Sequence, residues 1–184
     1  GEKKKMGSIE NAVNNGLMVC AYQADITYPG VKNFDCGNAV INSFVRNSLK
    51  KNVRDGNCAA KALIDEKSGE LIGVCSFSAY SLAKGRLAGT LTGSLPSEVG
   101  VVRLNMLGVA TKEQKKGYGH DLLCEFFEQI KVIHQALPIK GVYLDADPDA
   151  INFYARLGFV ELNEPPNAFG AVPMFLAIQH ILAA

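Results

Sequence analysis

Long apolar segments are missing from this chain of 184 residues. No run approaches the ~20 apolar residues that a membrane-spanning helix needs, and the first residues lack the apolar core of a signal peptide. Both absences favour a cytoplasmic protein that does not associate with a membrane. The sequence begins with Gly1 and not with methionine, so we expect residues 1–10 to be tag-derived or poorly ordered.

Paired cysteines and metal-binding spacings are missing as well. The five cysteines are scattered, none forms a C-x-x-C pair, and no histidine is spaced to complete a zinc site. Cys58 and Cys75 lie in apolar, strand-like segments, where free thiols are usually buried. The sequence therefore predicts buried free cysteines, a reducing compartment and no metal.

Net charge is also small, at a formal +1, but its distribution is uneven. Between Lys32 and Lys61 six basic residues stand against two acidic ones. Between Tyr143 and Glu164 five acidic residues stand against Arg156 alone. The sequence thus predicts one basic and one acidic region, although the net charge says little about nucleic acid.

Hydrophobic periodicity predicts a single α/β domain over residues 1–184. Strands are expected at 17–22, 58–64, 71–79, 99–109, 139–146 and 159–162, with further strand structure at 172–181. Helices are expected at 39–52, from Gly119 towards Pro138, and from Asp147 as N-cap to Gly158. Residues 81–100 predict a long loop, which in a compact domain is usually functional or mobile.

The helix predicted at 39–52 is amphipathic and basic. Its buried stripe is expected to consist of four apolar residues, Val40, Phe44, Val45 and Leu49. Its exposed face carries Arg46, Lys50 and Lys51. Either Asp35 or Asn38 is placed to cap its start.

The segment with the strongest chemical signal is Gln114-Lys115-Lys116-Gly117-Tyr118-Gly119, which follows an apolar strand and opens a helix. Such a loop offers backbone N–H groups and the positive end of the helix dipole to an anion. It is not a P-loop, and the dinucleotide-binding spacing is incomplete. Alone, the pattern fits an ordinary glycine-rich turn equally well. Gly108, inside the preceding strand, is typical of a bulge or of a ligand close to the backbone.

A second segment, Asn152-Phe153-Tyr154-Ala155-Arg156-Leu157-Gly158-Phe159, lies farther along on a short helix and strand. Together the two segments resemble the GNAT superfamily of N-acetyltransferases over roughly residues 99–162. In that superfamily a Gln/Arg-x-x-Gly-x-Gly/Ala loop binds the acyl-CoA pyrophosphate, and a Phe-Tyr-x-x-x-Gly-Phe segment places a tyrosine near the thioester sulfur. The resemblance implies an α/β GNAT fold, with a central mixed twisted sheet splayed at the acyl-CoA strand and helices on both faces.

A narrower resemblance lies upstream. Phe34-Asp35-Cys36-Gly37-Asn38 before a basic helix is similar to the acetyltransferase toxins of bacterial type II toxin–antitoxin modules (TacT/AtaT type), which carry Phe-x-Cys-Gly there. Pro173-Met174-Phe175-Leu176 loosely resembles their last strand. The strand before the loop departs from the group. Gly-Arg-Leu-Ala-Val is usual, whereas Asn105-Met106-Leu107-Gly108-Val109 stands here, so Met106 replaces the arginine.

The resemblance implies acetyl-CoA as co-substrate. Its binding residues would be Leu107, Gly108, Val109, Gln114, Lys115, Lys116, Gly117, Tyr118, Gly119, His120, Asp147 and Phe153. Tyr154 would protonate the departing thiolate, because an ordinary phenol with a pKa of about 10 stays protonated at neutral pH. The alternative for Tyr154 is simple packing beside Phe153 and Phe159. A free α-amine has a pKa of about 7.7–8, so a strong enzymatic base is unnecessary.

The implied activity is acetyl transfer from acetyl-CoA to the α-amine of aminoacyl-tRNA, which blocks translation. Candidate tRNA-binding residues are Arg46, Lys50, Lys51, Arg54, Lys84 and Arg86, since phosphate contacts supply most sequence-independent affinity. The implied partner is a ribbon–helix–helix antitoxin, and a homodimer is expected. Two alternatives stay open: a GNAT enzyme for a small-molecule or protein amine, and a non-catalytic acyl-CoA-binding regulator.

Overall fold

A computed structural model describes residues 12, 13 and 15–184, so the expectations for residues 1–10 lie outside the described residues. The strands are β1 (Leu17–Ala21), β2 (Ala59–Asp65), β3 (Leu71–Ala83), β4 (Glu98–Val109), β5 (Gly141–Ala146), β6 (Val160–Glu161) and β7 (Val172–Ala177). The α-helices of this part are α1 (Ala39–Asn47), α2 (Leu49–Arg54), α3 (Tyr118–Ala136), α4 (Ile151–Arg156) and α5 (Ile178–Ala183). Short 3-10 turns lie at Val31–Asn33, Lys84–Leu87, Thr111–Glu113 and Pro148–Ala150.

The seven strands form one mixed sheet in the order β1-β2-β3-β4-β5-β7-β6. β1 with β2, β2 with β3, β5 with β7 and β6 with β7 are antiparallel, whereas β4 and β5 are parallel. The parallel register pairs Val102 with Val142 and Arg103 with Tyr143. β1 and β6 are the edge strands, so the sheet is open. The mixed sheet with helices confirms the predicted fold class.

The chain divides into two compact units, and β3 and β4 each contribute to both. The first unit takes the chain up to Phe77 together with Met106–Glu128. The second takes Ser78–Asn105 and Gln129–Ala184. Each is described by itself below.

In the first unit the predicted basic helix is two helices, because the chain breaks at Ser48 between α1 and α2. Asn38 caps α1, with its side chain accepting from the N–H groups of Val40 and Ile41. The burial prediction for Val40 was wrong: it is 68% exposed, since the buried side of the two helices runs through Val45 and Leu49. Phe44 is only half-buried.

Close packing of strands and helix in the first unit depends on a glycine. A Cβ at Gly73 of β3 would lie 3.1 Å from the carbonyl oxygen of Gly108 and 3.1 Å from Leu122 of α3. The apolar face of α3 is buried as predicted, with Leu122, Leu123 and Phe126 fully enclosed. Phe126 lies 5.0 Å from Phe77 between ring centroids. This packing fixes the start of α3 against the sheet.

In the second unit β5 pairs with β7 from Gly141 opposite Ala177 to Ala146 opposite Val172. The prediction of strand structure over the whole of 172–181 was wrong, because α5 begins at Ile178. Ile178 and Ile181 are both buried, and their spacing of three residues is that of a helix face. Ile178 and Ile181 thus face the interior from one side of a helix that begins directly after β7.

The connection between β3 and β4 is shorter than the predicted loop over 81–100. β3 continues to Ala83 and β4 begins at Glu98, which leaves residues 84–97. Leu87 in this connection is fully buried beside Leu82, Val99 and Val101. The segment is therefore anchored in the core of the second unit.

All five cysteines are free, as predicted. Cys75 is fully buried, but Cys58 precedes β2 and is only half-buried. Among the described residues, no cluster of histidine, cysteine or acidic side chains has the arrangement of a metal site. No helix in that same part of the chain combines the length and apolar character needed to cross a bilayer.

Candidate functional site

The segment between β4 and α3 leads into the helix through a run of backbone N–H groups, those of residues 115–120, that have no backbone acceptor in the described chain. After β4 the chain makes one 3-10 turn and enters α3 at Tyr118. The first N–H of α3 with a backbone acceptor is that of Asp121, which donates to the carbonyl of Gly117 at 3.1 Å. Within the described chain, the amides of residues 115–120 donate to no other backbone group. Residues 114–117 are exposed, so the positive end of the helix dipole is open to solvent.

Two left-handed residues give this loop its shape. Gly117 has φ 85° and Lys115 has φ 65°. Such residues among right-handed ones turn neighbouring N–H groups into a concave anion-binding arrangement. A Cβ at Gly119 would meet no protein atom within 4 Å, so the fold itself does not require this glycine. Its absent side chain instead leaves the backbone open to a close ligand.

Gln114 fastens the loop to its surroundings. Its side-chain amide donates to the carbonyl of Val109 and to the carbonyl of Cys36, both at 2.8 Å. The backbone of Thr111 also donates to the carbonyl of Asp35 at 2.9 Å. The segment 35–36 before α1 and the end of β4 are thus joined through one glutamine, so its side chain holds the loop and not a ligand.

The two lysines of the loop differ in their partners. Lys116 forms an ion pair with Glu113 at 2.8 Å, and this hydrogen bond raises the pKa of Lys116. Lys115 enters none of the ion pairs in the described part of the chain. Both are exposed, and neither charge is strongly coupled to the fold. Lys115 is therefore the lysine whose charge is unneutralised beside the open amides.

The side chains at the start of α3 point to structural roles. Tyr118 is 2% exposed, so only its backbone is placed for a ligand in the loop. His120 is half-buried, with Nδ1 lying 3.7 Å from the Sγ atom of Cys124 one turn later. At these two predicted site residues the side chain packs within the protein, and the backbone N–H donates to no other backbone group of the described chain.

Gly108 in β4 is explained by packing. A Cβ there would lie 2.9 Å from Ile41 of α1 and 3.1 Å from the Sγ atom of Cys36. The sequence signal was read as a bulge or a ligand close to the backbone, but the protein's own side chains occupy that direction. Leu107 is half-buried, and Val109 is buried with its carbonyl bonded to Gln114. The three residues form the strand end next to the loop.

Tyr154 belongs to the second unit. It is buried in α4, 9% exposed, with its ring edge-on to Phe153 at 5.2 Å and to Phe159 at 5.5 Å. Asp147 caps the turn that leads into α4, its carboxylate accepting from the N–H of Asp149 at 3.0 Å. Gly158, at φ 100°, ends the helix as predicted. The aromatic contacts hold the tyrosine ring in one orientation.

Arg86, a predicted phosphate ligand, is engaged inside the second unit. Its guanidinium donates to the carboxylate of Glu164 at 2.5 and 3.1 Å, and to the hydroxyl of Tyr143 at 3.1 Å. The Tyr143 hydroxyl in turn donates to Asp145, which pairs with Arg103 at 3.0 Å. Sequence reasoning missed this network, because its members lie on separate strands and loops. The acidic run 143–164 was the only signal for it.

Arg46, Lys50, Lys51 and Arg54 are all exposed, as predicted. Arg46 donates from Nε to the carbonyl of Phe34 at 2.7 Å, and Lys50 donates to the hydroxyl of Thr27 at 3.3 Å. Arg54 has a long contact of 3.9 Å with Asp55. The two helices therefore present a basic surface in the first unit, and its charges are largely not neutralised by acidic side chains of the described chain.

The fold and the loop together define a class of protein. A mixed sheet whose strand end leads through open amides into a helix is suited to the pyrophosphate of an acyl carrier. A family model for the acetyltransferase (GNAT) domain matches residues 60–161. The crystal structure of a bacterial toxin is similar at a TM-score of 0.89 and 74% identity, over 91% of this chain and 93% of that chain. The chain belongs to the GNAT acetyltransferase family, and the prediction of an acetyl-CoA-dependent N-acetyltransferase is confirmed.

Two further solved structures share the fold. One is AtaT complexed with acetyl-methionyl-tRNA, at a TM-score of 0.78 and 20% identity, over 91% of this chain and 98% of that chain. The other is a tyrosine-to-phenylalanine mutant of the AtaT toxin bound to acetyl-CoA and to the C-terminus of the antitoxin AtaR. It matches at a TM-score of 0.74 and 19% identity, over 91% of this chain and 97% of that chain. At these identities the likeness is one of fold.

Proposed function

We propose that this protein transfers acetyl from acetyl-CoA to the α-amine of aminoacyl-tRNA and acts as the toxin of a toxin–antitoxin module. The observation that carries the proposal is the 74% identity to a bacterial toxin over 91% of the chain, within an acetyltransferase family. AtaT with acetyl-methionyl-tRNA, a protein of the same fold, supports the substrate class. The whole chain then acts as one GNAT domain.

The loop at 114–120 is proposed to hold the pyrophosphate of acetyl-CoA. The amides of residues 115–120 donate to no backbone group in the described structure, and Gly119 leaves room for a ligand. A doubly charged group gains both hydrogen bonds and the helix dipole in this position. Lys115 adds a free charge, whereas Lys116 is already paired with Glu113. Leu107–Val109 are proposed to contact the pantetheine, with Asp147 and Phe153 as further contacts.

Tyr154 is proposed to donate the proton that the leaving thiolate takes up. The α-amine attacks the thioester carbonyl, its C–N bond forms as the C–S bond breaks, and the amine proton leaves to solvent. An α-amine is partly neutral near pH 7.5, so no strong base is required. Backbone N–H groups near Val109 would stabilise the oxyanion. The ring contacts of Tyr154 with Phe153 and Phe159 support this role by fixing its orientation.

The basic surface of α1 and α2 is proposed to bind the tRNA backbone, through Arg46, Lys50, Lys51 and Arg54. Lys84 is a further candidate because it is exposed. Arg86 leaves the proposal, since its guanidinium is bound to Glu164 and Tyr143. Because the proposed substrate is charged tRNA, the proposed location of the enzyme is the cytoplasm. A DNA-binding ribbon–helix–helix antitoxin is the proposed partner, and a homodimer the proposed assembly.

The test is incubation of the full chain with radiolabelled acetyl-CoA and total charged tRNA. We expect label in an alkali-labile aminoacyl-tRNA fraction, and a loss of about 10²–10⁴-fold in rate for Tyr154→Phe, the range of a lost general acid. Tyr80→Phe is the matched control, because Tyr80 is a partly exposed tyrosine of the same unit outside the proposed site. Full activity in Tyr154→Phe would remove the assigned proton donor.

A second candidate acceptor is a small-molecule or protein amine. Met106, half-buried in β4, stands where the toxin group carries an arginine, and this substitution favours the second candidate. The same reaction separates the two. Label that enters no tRNA, but enters added polyamines or protein N-termini, contradicts the tRNA proposal and supports the other acceptor.

A further inference from the structure

A cavity of about 640 Å³ lies in the first unit, between the segment 26–33 and the helices α1 and α2. Its volume is within the range of about 300–1,000 Å³ that ligand pockets span. Tyr22 and Tyr28 are among its lining residues and form a stacked pair, with ring centroids 5.1 Å apart and planes 27° from parallel. Burial raises the pKa of both phenols, so the interior stays uncharged. The cavity thus has two aromatic side chains in its lining and a volume large enough for a planar ring system.

The rim of the cavity is basic. Five cationic residues line it, Lys32, Arg46, Lys50, Lys51 and Arg54, and no acidic residue of the described chain is among its lining residues. Lys32 and Lys51 form none of the ion pairs in that part of the chain, and Arg46 uses Nε on a backbone carbonyl, which leaves its remaining N–H groups available. Such a concentration of one charge sign is destabilising by itself and is relieved by an anion.

Uncharged hydrogen-bonding groups also line the cavity. Thr27 contributes a hydroxyl, and Asn33 and Asn47 contribute amides, each of which carries both donors and an acceptor. A nucleobase edge presents the complementary donors and acceptors, and its ring matches an aromatic, apolar interior. Phosphates on either side would then lie at the ammonium groups. An acidic peptide satisfies the charges but not the aromatic interior.

We propose that this cavity binds one unpaired nucleotide of an RNA strand, with the base inside and its flanking phosphates on the basic rim. A duplex cannot bind this way, because its bases are stacked and paired and none can enter a cavity singly. Aromatic interior and basic rim are together the features of single-strand binding sites. The inference rests on the proposed function, which it deepens by naming the part of the RNA that this surface takes.

The test measures binding of the full chain to labelled octaribonucleotides by fluorescence anisotropy. We expect the single strand to bind at least about fivefold more tightly than an abasic strand of equal charge, since a stacked base contributes about 1–3 kcal/mol, or about 5- to 150-fold in affinity. A blunt duplex of the same sequence is expected to bind more weakly than the single strand. Equal affinity for the abasic strand would make the surface a general polyanion site. Equal or tighter binding of a poly-glutamate peptide would assign it to an acidic peptide, and either result overturns the inference.

Charge reversal locates the binding. Lys51→Glu is expected to weaken the octaribonucleotide about tenfold or more, by loss of one phosphate contact and gain of a repulsive charge. Lys67→Glu is the control, because it makes the same charge change at an exposed position in the turn between β2 and β3. An unchanged affinity in Lys51→Glu would overturn the proposed position.

The proposed function fails separately from this inference. Strand binding that depends on Lys51, together with no acetylation of any charged tRNA, supports the cavity and contradicts the aminoacyl-tRNA acceptor. Acetylation of tRNA with the same KM in Lys51→Glu as in the unmodified protein contradicts the cavity and leaves the acceptor assignment standing.

Discussion

Two basic segments of this protein look alike in sequence and differ in structure. Lys50 and Lys51 of α2 are exposed, and Lys50 donates to the hydroxyl of Thr27 and not to a carboxylate. Arg86, before β4, is instead bound by the carboxylate of Glu164 and the hydroxyl of Tyr143. A basic side chain is therefore available to bind an anion only where the fold supplies no counter-ion.

The engaged segment is part of a longer chain of polar contacts in the second unit. Arg86 lies 5.2 Å above the ring of Tyr143, and Arg103 lies 5.2 Å above the ring of Tyr80. The two rings are themselves stacked at 5.4 Å. Burial, with the hydrogen bond to Asp145, raises the pKa of Tyr143 to about 12, so its hydroxyl stays protonated and donates. Cations, rings and carboxylates here stabilise the fold.

The structural role of the Arg86 network is tested most directly by removing the Arg86 side chain. Arg86→Ala leaves Glu164 and Tyr143 without their donor, and both groups are largely buried. Loss of a partly buried, bidentate pair is expected to lower the free energy of unfolding by about 3 kcal/mol. Urea unfolding measures this, with Lys84→Ala as an exposed neighbour that should change by less than about 0.5 kcal/mol. Equal effects in the two variants would mean that the network is not structural.

A second test of this contrast concerns a buried acid that forms no ion pair with the described residues. Asp121 is fully buried, and burial raises its pKa to about 6, against about 3.9 in an unfolded chain. The folded state binds this proton more tightly, so the stability it contributes is complete below about pH 4 and is lost as the pH rises through about 6. The loss is expected to be about 3 kcal/mol, since one pKa unit corresponds to about 1.4 kcal/mol.

Asp121→Asn removes that titration. The variant is expected to lose the fall in stability between pH 4 and pH 7, measured by urea unfolding across the range, whereas exposed Glu66→Gln should keep it. A pH profile that is unchanged in Asp121→Asn would show that other groups produce the slope.

The smallest effect on stability is expected at the free basic surface. Lys50→Ala with Lys51→Ala should change the free energy of unfolding by less than about 0.5 kcal/mol, because exposed charges contribute little. The same double variant should reduce the slope of log affinity for RNA against log salt by about 1.5, from two lost phosphate contacts. A slope equal to that of the unmodified protein would place the RNA elsewhere.

Local patterns in the sequence predicted most elements of the fold. The hairpin of β2 and β3, the cap by Asn38, the buried face of α3 and the turn at Asp147–Pro148 all depend on neighbours within a few residues. Val40 and the segment after Ala177 were wrong, because burial on a short helix and a strand-to-helix change depend on packing partners from elsewhere in the chain. Periodicity alone cannot supply those partners.

The candidate site was predictable to the same extent. The loop at Gly117 and Gly119 was visible, since its residue types have direct consequences for backbone shape. The reason for Gly108 was not visible, because Cys36 and Ile41 approach it from a segment about 70 residues away. No sequence signal indicated that Tyr22 and Tyr28 line one cavity with α1 and α2, because that proximity too depends on tertiary packing.

The two hydrogen bonds of Gln114 have a consequence for binding energetics. They hold the loop between Val109 and Cys36 in a shape that leaves the amides of residues 115–120 without a backbone acceptor in the described chain. Such preorganisation means that a pyrophosphate need not order the loop when it arrives, and the conformational entropy of that ordering is not subtracted from its affinity. Under the proposed function, Gln114 would thereby contribute to the affinity for a group that its own side chain does not touch.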